Sequence, residues 1–284
     1  MTDIRKVTVL GAGVLGSQIA FQTAFKGFDV TSYDIDDKAL DSARGRFAGL
    51  VDTYRHEVPG ADDSAAATLD RLTLTSDLEA AVADADLVIE AVPELLSLKQ
   101  DIYRRIGAAA PERTIFATNS STLLPSDIAD ATGRPDRFLA LHFANMVWKF
   151  NTAEVMGTER TDPEVYRKVV EFAVAIGMVP IELHKEKAGY VLNSLLVPFL
   201  TAAADLAAGG YAAPADVDKT WTIATGAPLG PFQIYDIIGL TTPYNIMAHG
   251  DAASQKLAAW LKENYIDKGK LGIESGEGFY RYTD

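Results

Sequence analysis

Short apolar runs and segments of helically spaced apolar residues alternate along the first two thirds of the chain. Consecutive apolar residues are typical of strands that are buried on both faces of a sheet. Mostly apolar runs cover residues 7–10, 87–92, 114–117, 138–143 and 178–183, and two strand-like segments with a smaller share of apolar residues cover 29–33 and 152–156. Segments such as residues 36–54 and 97–109 instead place apolar residues three and four positions apart, as helices do. The alternation predicts an α/β fold with a doubly wound, mostly parallel sheet over residues 1–186.

The pattern changes at residue 187. Strand signals end there, and only segments with helical spacing follow. These segments cover residues 190–208, 215–224, 231–247 and 252–266. The sequence therefore predicts a second, all-helical domain over residues 187–284.

One stretch near the N-terminus adds chemistry to this pattern. A strand is followed by Gly11-Ala12-Gly13-Val14-Leu15-Gly16, a helix, and a second strand that ends at Asp34. This arrangement is the dinucleotide-binding fingerprint of Rossmann folds. The helix start at Val14 and Leu15 offers N–H groups to a pyrophosphate, and the glycines let the backbone approach it. Because the carboxylate of Asp34 would bind ribose hydroxyls and repel a 2′-phosphate, the predicted cofactor is NAD(H).

Candidate residues also follow the later strands, because ligands bind at the carboxyl edge of a parallel sheet. The strand at 87–92 places Ala91 and Val92 beside the predicted cofactor. His142 lies near the end of its strand, and Glu154 is expected near the carboxyl end of the next one. If Glu154 accepts from one imidazole nitrogen, the other nitrogen is free to take a proton.

Two further polar residues are candidates with a structural alternative each. Ser121 lies in a polar cluster after a strand and supplies a hydroxyl donor, although it is equally suited to a turn or helix cap. Asn193 lies in an apolar helical segment, where a buried amide needs a partner. That partner is either a substrate or another helix.

Composition narrows the class of protein. The net charge of −13 argues against nucleic acid as a partner, since phosphate backbones bind basic surfaces. With no cysteine and no cluster of zinc-type ligands, no metal site is expected. The chain shows neither an apolar run of membrane-spanning length nor a signal-peptide core. We therefore expect a cytoplasmic protein, not bound to membranes, that acts on a small molecule.

Ordered motifs span nearly the whole chain. They are Gly11-x-Gly13-x-x-Gly16, Val88-Ile89-Glu90-Ala91-Val92-Pro93-Glu94, Ala117-Thr118-Asn119-Ser120-Ser121, Leu141-His142-Phe143, Ala153-Glu154-Val155, Gly189-Tyr190-Val191-Leu192-Asn193, Gly230-Pro231-Phe232 and Gly276-Glu277-Gly278-Phe279-Tyr280. With these motifs the chain resembles the 3-hydroxyacyl-CoA dehydrogenase family. The run His142-Phe143-Ala144-Asn145-x-x-Trp148 is most similar to the diketoreductase-type members, NADH-dependent homodimers that reduce β-keto and 3,5-diketo esters.

The resemblance implies a role for each matching residue. His142 would be the base in alcohol oxidation and the acid in ketone reduction, and Glu154 would hold its tautomer. Ser121 would hydrogen-bond the reacting oxygen, and Asn193 would help to position the substrate. The resemblance also implies that the nicotinamide-ribose end of the cofactor is lined by Glu94, Lys99 and Asn119. Asn145 matches the family's asparagine after the histidine and is expected to contact the cofactor as well. A homodimer through the helical domain is implied in the same way.

The chain departs from the family pattern beside the histidine. The family usually has Phe-Phe-Asn-Pro there, whereas this chain has Phe143-Ala144-Asn145-Met146. Ala144 would widen the substrate pocket, Asn145 would line it, and Trp148 would add a flat wall. Ser194 also follows Asn193 where the family usually has arginine. These differences favour a ketoreductase that acts on β-keto or 3,5-diketo esters by hydride transfer at C3.

Two alternatives remain open at this point. One is a 3-hydroxyacyl-CoA dehydrogenase of fatty-acid metabolism, for example one that acts on 3-hydroxybutyryl-CoA. The other is a non-catalytic NAD-binding protein of the crystallin type, which an intact set of Ser121, His142, Glu154 and Asn193 disfavours.

Overall fold

The structure of the protein, a computed structural model, describes residues 3–282. The chain divides into two compact units between Val191 and Leu192. The pattern of the sequence changes a few residues earlier, at residue 187. Each unit has its own apolar core.

The first unit is built on an eight-stranded sheet. Its strands are β1 (Lys6–Leu10), β2 (Asp29–Tyr33), β3 (Leu72–Thr75), β4 (Leu87–Glu90), β5 (Ile115–Thr118), β6 (Phe138–Phe143), β7 (Thr152–Gly157) and β8 (Val179–Leu183). Their order is β3-β2-β1-β4-β5-β6-β7-β8. The first six strands in this order are parallel, β7 is antiparallel to β6, and β8 is parallel to β7. The predicted doubly wound, mostly parallel sheet is confirmed.

Helices connect these strands. They are α1 (Val14–Phe25), α2 (Asp37–Glu57), α3 (Ser64–Ala67), α4 (Leu78–Val82), α5 (Leu96–Ala109), α6 (Ser126–Ala129) and α7 (Pro163–Ala175), with short 3₁₀ turns at Thr68–Arg71, Asp130–Thr132 and Pro135–Arg137. Aspartates start several of them: the side chain of Asp36 accepts from Ala39 N, and that of Asp77 accepts from Ala80 N. Such a cap satisfies an otherwise unpaired N–H and is worth about 1 kcal/mol.

Alternate strand residues feed cores on the two faces of the sheet. Val9 and Ile89 belong to the cluster on one face, and their neighbours Leu10 and Val88 to the cluster on the other. This two-residue period follows from the pleat of a strand. Because both faces are covered, most residues of the central strands are apolar, and the few polar ones inside them, such as Thr8 and Ser32, are buried.

The second unit is helical. Its helices are α8 (Leu192–Ala208), α9 (Pro214–Thr225), α10 (Pro231–Ile238), α11 (Thr241–Ala248) and α12 (Ala252–Asn264), followed by 3₁₀ turns at Ile266–Lys268 and Ile273–Ser275. The single helix predicted over residues 231–247 is wrong, because Gly239 (φ 84°) leaves the right-handed region and ends α10. Within residues 3–282 no helix is both long and apolar enough to span a membrane.

Candidate active site

The loop between β1 and α1 has no room for side chains at two of its glycines. A Cβ on Gly16 would lie 1.8 Å from Gly11 O, and one on Gly11 would lie 2.7 Å from Ala91 O. The backbone of Ala91 therefore flanks this loop, and Val92 follows it at the end of β4. The end of β4 thus lies beside the glycine loop, and its contact with the cofactor stays a prediction.

The same loop fits a dinucleotide pyrophosphate. A Cβ on Gly13 would meet nothing within 4 Å, so this position faces open space. Helix α1 begins directly after it at Val14, which is 64% exposed, and a glycine has no side chain with which to cap the helix. The N–H groups and positive end of α1 are thus presented to that space, as phosphate binding requires.

The carboxylate of Asp34 is tied to the glycine loop. Its Oδ2 accepts from Ala12 N at 2.9 Å, and its Oδ1 accepts from Ile35 N at 2.7 Å. Each oxygen keeps a further lone pair for a ribose hydroxyl. The guanidinium of Arg46, on α2, donates to the carbonyl oxygen of the same Ala12 at 3.1 Å, a contact that the sequence did not predict.

Ser121, His142 and Glu154 form one hydrogen-bonded chain. His142 Nδ1 lies 2.9 Å from Glu154 Oε2, and His142 Nε2 lies 3.1 Å from Ser121 Oγ. Both His142 and Glu154 are buried, at 4% exposure each. Since a carboxylate only accepts, Nδ1 carries the proton, and the neutral ring turns its Nε2 lone pair toward Ser121. Nε2 can therefore take a proton from an oxygen beside Ser121, or return one.

The reversal of β7 brings Glu154 to His142. In the antiparallel β6–β7 pair His142 and Glu154 are register partners, so their side chains leave the same face of the sheet. The expected place of Glu154, near the carboxyl end of its strand, is therefore corrected: it lies in the first half of β7. Direct opposition across two paired strands fixes the separation of the two side chains better than a loop would.

Tyr190 and Val191 complete the surroundings of this pair, and the sequence did not assign them a role. The Tyr190 ring is stacked on the His142 ring, with centroids 4.5 Å apart and planes 12° apart. Val191 N donates to Glu154 Oε1 at 2.8 Å. Their place in the motif that starts at Gly189 was the one feature of the sequence that could have pointed to both residues.

A second buried cluster lies at the ends of β4 and β5. Lys99 is 1% exposed, and its Nζ donates to Glu90 Oε1 at 2.6 Å and to Val92 O at 3.2 Å; it also pairs with Glu94 Oε2 at 3.3 Å. Thr118 Oγ1 donates to the other oxygen of Glu90 at 2.8 Å. Lys99 thus has protein acceptors for its ammonium group, and its contact with the cofactor stays a prediction.

Glu94 holds the turn that carries Ser121. Its Oε1 accepts from Ser120 Oγ at 2.5 Å, from Thr122 N at 2.8 Å and from Thr122 Oγ1 at 2.9 Å. Partial burial opposes the charged form of Glu94, but the hydrogen bonds from Ser120 and Thr122 and the charge of Lys99 outweigh it and lower its pKa to about 2. Glu94 is therefore ionised at neutral pH and stabilises the turn.

The segment after His142 is held by both neighbouring helices. Met146 is left-handed (φ 61°), and its N–H donates to Gln18 Oε1 of α1 at 2.7 Å. The indole of Trp148 donates to Glu57 Oε2 of α2 at 3.0 Å, and its ring lies 5.8 Å from that of Tyr54. These contacts give Trp148 a packing role that the sequence did not predict, while its role as a pocket wall stays a prediction.

The remaining candidates have the following places. Asn119 is buried, and its Oδ1 accepts from Phe143 N at 2.9 Å, which ties the end of β5 to the end of β6. Ala144 is half-buried and Asn145 is exposed at the end of β6. Asn193 lies in the first turn of α8, in the helical unit, where it lines an apolar cleft of about 480 Å³ together with Leu196, Leu200 and Met247.

Two family models match the two parts of the chain. That of the 3-hydroxyacyl-CoA dehydrogenase NAD-binding domain matches residues 6–187, and that of the 3-hydroxyacyl-CoA dehydrogenase C-terminal domain matches residues 189–282. The mitochondrial hydroxyacyl-coenzyme A dehydrogenase of Rattus norvegicus is 34% identical over 288 residues, which cover 98% of this chain and 91% of the relative.

Solved structures agree with these matches. One solved structure is that of a diketoreductase, described as showing substrate-directed dual catalysis of dicarbonyl compounds, and its sequence is 67% identical to this chain. The TM-score is 0.97, and the match covers 99% of this chain and 100% of that one. The (S)-3-hydroxybutyryl-CoA dehydrogenase of Ralstonia eutropha is 29% identical, with a TM-score of 0.84 and coverage of 99% and 100%. The resemblance predicted from the motifs is confirmed: the chain belongs to the 3-hydroxyacyl-CoA dehydrogenase family and is an NAD-dependent oxidoreductase of hydroxyacyl compounds.

Proposed function

We propose that the chain reduces the 3-keto group of β-keto or 3,5-diketo esters, with NADH as the reductant and no need for a CoA group on the substrate. The observation that carries the chemistry is the chain of hydrogen bonds from Ser121 through His142 to Glu154. The bound nicotinamide supplies the hydride to C3, or accepts it in the reverse direction. The glycine loop, Asp34 and the start of α1 are the groups that would hold that cofactor.

The side chains have separate tasks in this proposal. In ketone reduction, protonated His142 gives its Nε2 proton to the oxygen that forms on C3, and in alcohol oxidation neutral His142 removes it. Ser121 donates a hydrogen bond to that oxygen, which stabilises the developing negative charge. Glu154 fixes the ring and stabilises the imidazolium form. Asn193 would position the substrate, as the family resemblance implies.

The charges near the glycine loop support a substrate without CoA. The basic residues of the segment 36–71 are Lys38, Arg44, Arg46, Arg55 and Arg71. The ion pairs Arg44–Asp41, Arg55–Asp52 and Arg71–Asp29 occupy three of them, and Arg46 donates to Ala12 O. Recognition of phosphate needs arginine or lysine at close range, and this acidic segment offers little. The high identity to the diketoreductase points to the same class of substrate.

The test compares acetoacetyl-CoA with ethyl acetoacetate and with a bulkier 3-keto ester at fixed NADH. We expect kcat/KM for at least one ester to equal or exceed that for the thioester. If CoA supplied binding energy, its removal would lower kcat as well as KM. An acetoacetyl-CoA value more than about a hundredfold above both esters, roughly 2.7 kcal/mol of transition-state binding, would return the chain to the fatty-acid role. His142→Ala serves as the control that turnover of each substrate occurs at this site.

We also propose that two copies of the chain associate through the helical unit. Leu195, Ile223 and Ile246 are 68%, 74% and 52% exposed on three of its helices, and large exposed apolar surfaces mark interfaces. Sedimentation velocity of Leu195→Glu and Ile223→Glu should show monomers where the parent chain is a dimer. Val174→Glu, equally exposed but on α7 of the first unit, is the control; a monomeric parent chain would reject the proposal.

A further inference from the structure

We infer that Tyr190 is a positioning residue that holds Ser121, His142 and Glu154 in the geometry required for proton transfer. The inference rests on the proposed function. Tyr190 is 1% exposed and acts on this hydrogen-bonded chain in three ways. Its ring stacks on His142, its hydroxyl bonds the residue before Ser121, and its backbone conformation places the N–H of Val191 against Glu154. Each part restrains a different member of the chain.

The ring restrains His142. Its centroid is 4.5 Å from that of the imidazole, and the two planes are nearly parallel at 12°. One face of the imidazole is therefore covered by an aromatic surface. A tilt of the imidazole would lose this contact and the Nδ1 hydrogen bond to Glu154 together. The stack thus favours the one orientation in which Nε2 points to Ser121.

The hydroxyl restrains the turn that carries Ser121. Tyr190 Oη donates to the carbonyl oxygen of Ser120 at 2.8 Å, and this carbonyl belongs to the peptide group that leads into Ser121. Burial raises the pKa of Tyr190, so the group stays a protonated donor at any working pH. From the opposite side, Glu94 accepts from Ser120 Oγ, so the residue before Ser121 is held at two points.

The backbone restrains Glu154. Tyr190 has φ +51°, in the left-handed region that residues with a side chain rarely adopt. This turn directs the following N–H, that of Val191, to Glu154 Oε1 at 2.8 Å. The second carboxylate oxygen is thereby bonded while Oε2 faces His142, so the carboxylate is fixed at both ends.

The hydroxyl gives a test that packing alone cannot mimic. Tyr190→Phe keeps the ring and removes the hydroxyl, and with it the bond to Ser120. We expect kcat to fall about tenfold, equal to about 1.4 kcal/mol of activation free energy, with KM for NADH little changed. In the Ser121→Ala background the same substitution should have almost no further effect, because it acts through Ser121. Equal losses in both backgrounds, or no loss in the parent, would overturn the inference.

A matched control separates positioning from stability. Tyr54→Phe removes an equally buried hydroxyl, which donates to Gln22 in the same unit. Both variants should lower the midpoint of urea unfolding, but only Tyr190→Phe should lower kcat. A similar loss of kcat in both variants would mean that Tyr190 acts only through general stability, and would contradict a positioning role.

A readout without turnover keeps this inference independent of the proposed function. The Nδ1–H resonance of His142, assigned with His142→Gln, reports whether the ring keeps its bond to Glu154. In Tyr190→Leu, which loses both stack and hydroxyl, its exchange with water should become about tenfold faster, while Tyr190→Phe should stay near the parent value. An unchanged resonance in Tyr190→Leu would overturn the inference. A parent chain that reduces none of the keto esters would overturn the proposed function alone.

Discussion

Two buried charged clusters lie at the carboxyl edge of the same sheet, and they differ in how completely their groups are paired. Around Lys99, the ammonium group has acceptors on Glu90, Val92 and Glu94, and both oxygens of Glu90 accept hydrogen bonds. Around His142, the Nε2 atom faces a single serine hydroxyl across 3.1 Å. The first cluster is closed by charge-assisted bonds, whereas the second ends in an imidazole nitrogen that, in the proposed function, exchanges protons.

The difference separates support from chemistry. The amino group of Lys99 is bonded to three acceptors within the protein, so the Lys99 cluster holds the shape of the strand ends. An imidazole can gain or lose a proton near neutral pH. It can transfer that proton to a substrate only if one ring nitrogen is able to exchange its hydrogen-bond partner for a substrate oxygen. The two clusters are joined by Glu94, which binds Lys99 on one side and the Ser120–Thr122 turn on the other.

The largest effect is expected when the His142 cluster is disrupted. His142→Ala removes the proton carrier, and kcat should fall by a factor on the order of 10²–10⁴, the usual contribution of general acid–base catalysis. Glu154→Gln should also lower kcat severely, with little change in the Kd of NADH measured by fluorescence. The double variant should be little slower than His142→Ala, because the two residues act as a unit. Additive losses would show that they act separately.

The next largest effect is expected when the Lys99 cluster is disrupted, and it should be a loss of free energy of unfolding. Lys99→Met leaves the buried carboxylate of Glu90 without its cation, which we expect to cost about 3–5 kcal/mol in urea unfolding. Adding Glu90→Gln should recover part of this loss, since the uncompensated charge is removed. Lys6→Met, which breaks the exposed pair with Asp84, is the control and should change the free energy of unfolding little, because water screens exposed ion pairs. Similar losses for Lys99→Met and Lys6→Met would contradict the assignment of a closed, supporting cluster.

Another carboxylate, that of Asp34, extends the comparison to the cofactor. It is half-buried and bonded to backbone N–H groups, and we expect it to favour NADH over NADPH by about tenfold or more in kcat/KM, or about 1.4 kcal/mol. Asp34→Ala should lower the preference for NADH over NADPH. Adding Arg46→Ala should restore part of that preference, because it removes a cation at the same loop. Equal efficiency of both cofactors in the parent chain would defeat the prediction.

The smallest effect concerns the residue that joins the clusters. The pKa of Glu94 is lowered from 4.5 to about 2, so its ionised form stabilises the fold above pH 4.5. This contribution is lost as the pH falls from about 4.5 toward 2. Urea midpoints of the parent and of Glu94→Gln should therefore differ most near neutral pH and converge in acid. A difference in urea midpoint that stays constant between pH 7 and pH 3 would show that the charge of Glu94 contributes nothing to stability. The control is Glu79→Gln, which removes an exposed carboxylate paired with Arg105.

Much of the first unit could be predicted from sequence because its signals are local. A strand buried on both faces needs a continuous apolar run, and the glycine loop needs glycines where a Cβ would strike backbone. The helix caps at Asp36, Asp77 and Asp162 are local in the same sense, since each side chain bonds to an N–H two or three residues away.

The rest depends on contacts that the sequence pattern does not contain. An apolar run has no direction, so the reversal of β7, and with it the opposition of His142 and Glu154, could not be derived from it. The bond from Ser120 to Glu94 joins residues far apart in the chain, and the stack of Tyr190 on His142 depends on a left-handed turn that tyrosine rarely adopts. Gly239 gave a local signal for the break between α10 and α11, which the continuous helical spacing obscured.

The antiparallel pairing of β6 and β7 also has a consequence for how such an enzyme can diversify. The proton-transfer pair is fixed by the ladder between two strands, while the eight-residue segment that joins them, residues 144–151, contributes nothing to that register. Exposed positions of this segment, such as Asn145 and Lys149, can therefore change in sequence without moving the imidazole from its carboxylate, whereas Val147 is buried in the core. The segment is where the chain departs from the family's Phe-Phe-Asn-Pro, with Met146 in a left-handed conformation that proline cannot adopt. If the segment lines the substrate pocket, as the sequence predicts, its exchange between relatives would change the substrate and leave the pairing of His142 with Glu154 intact.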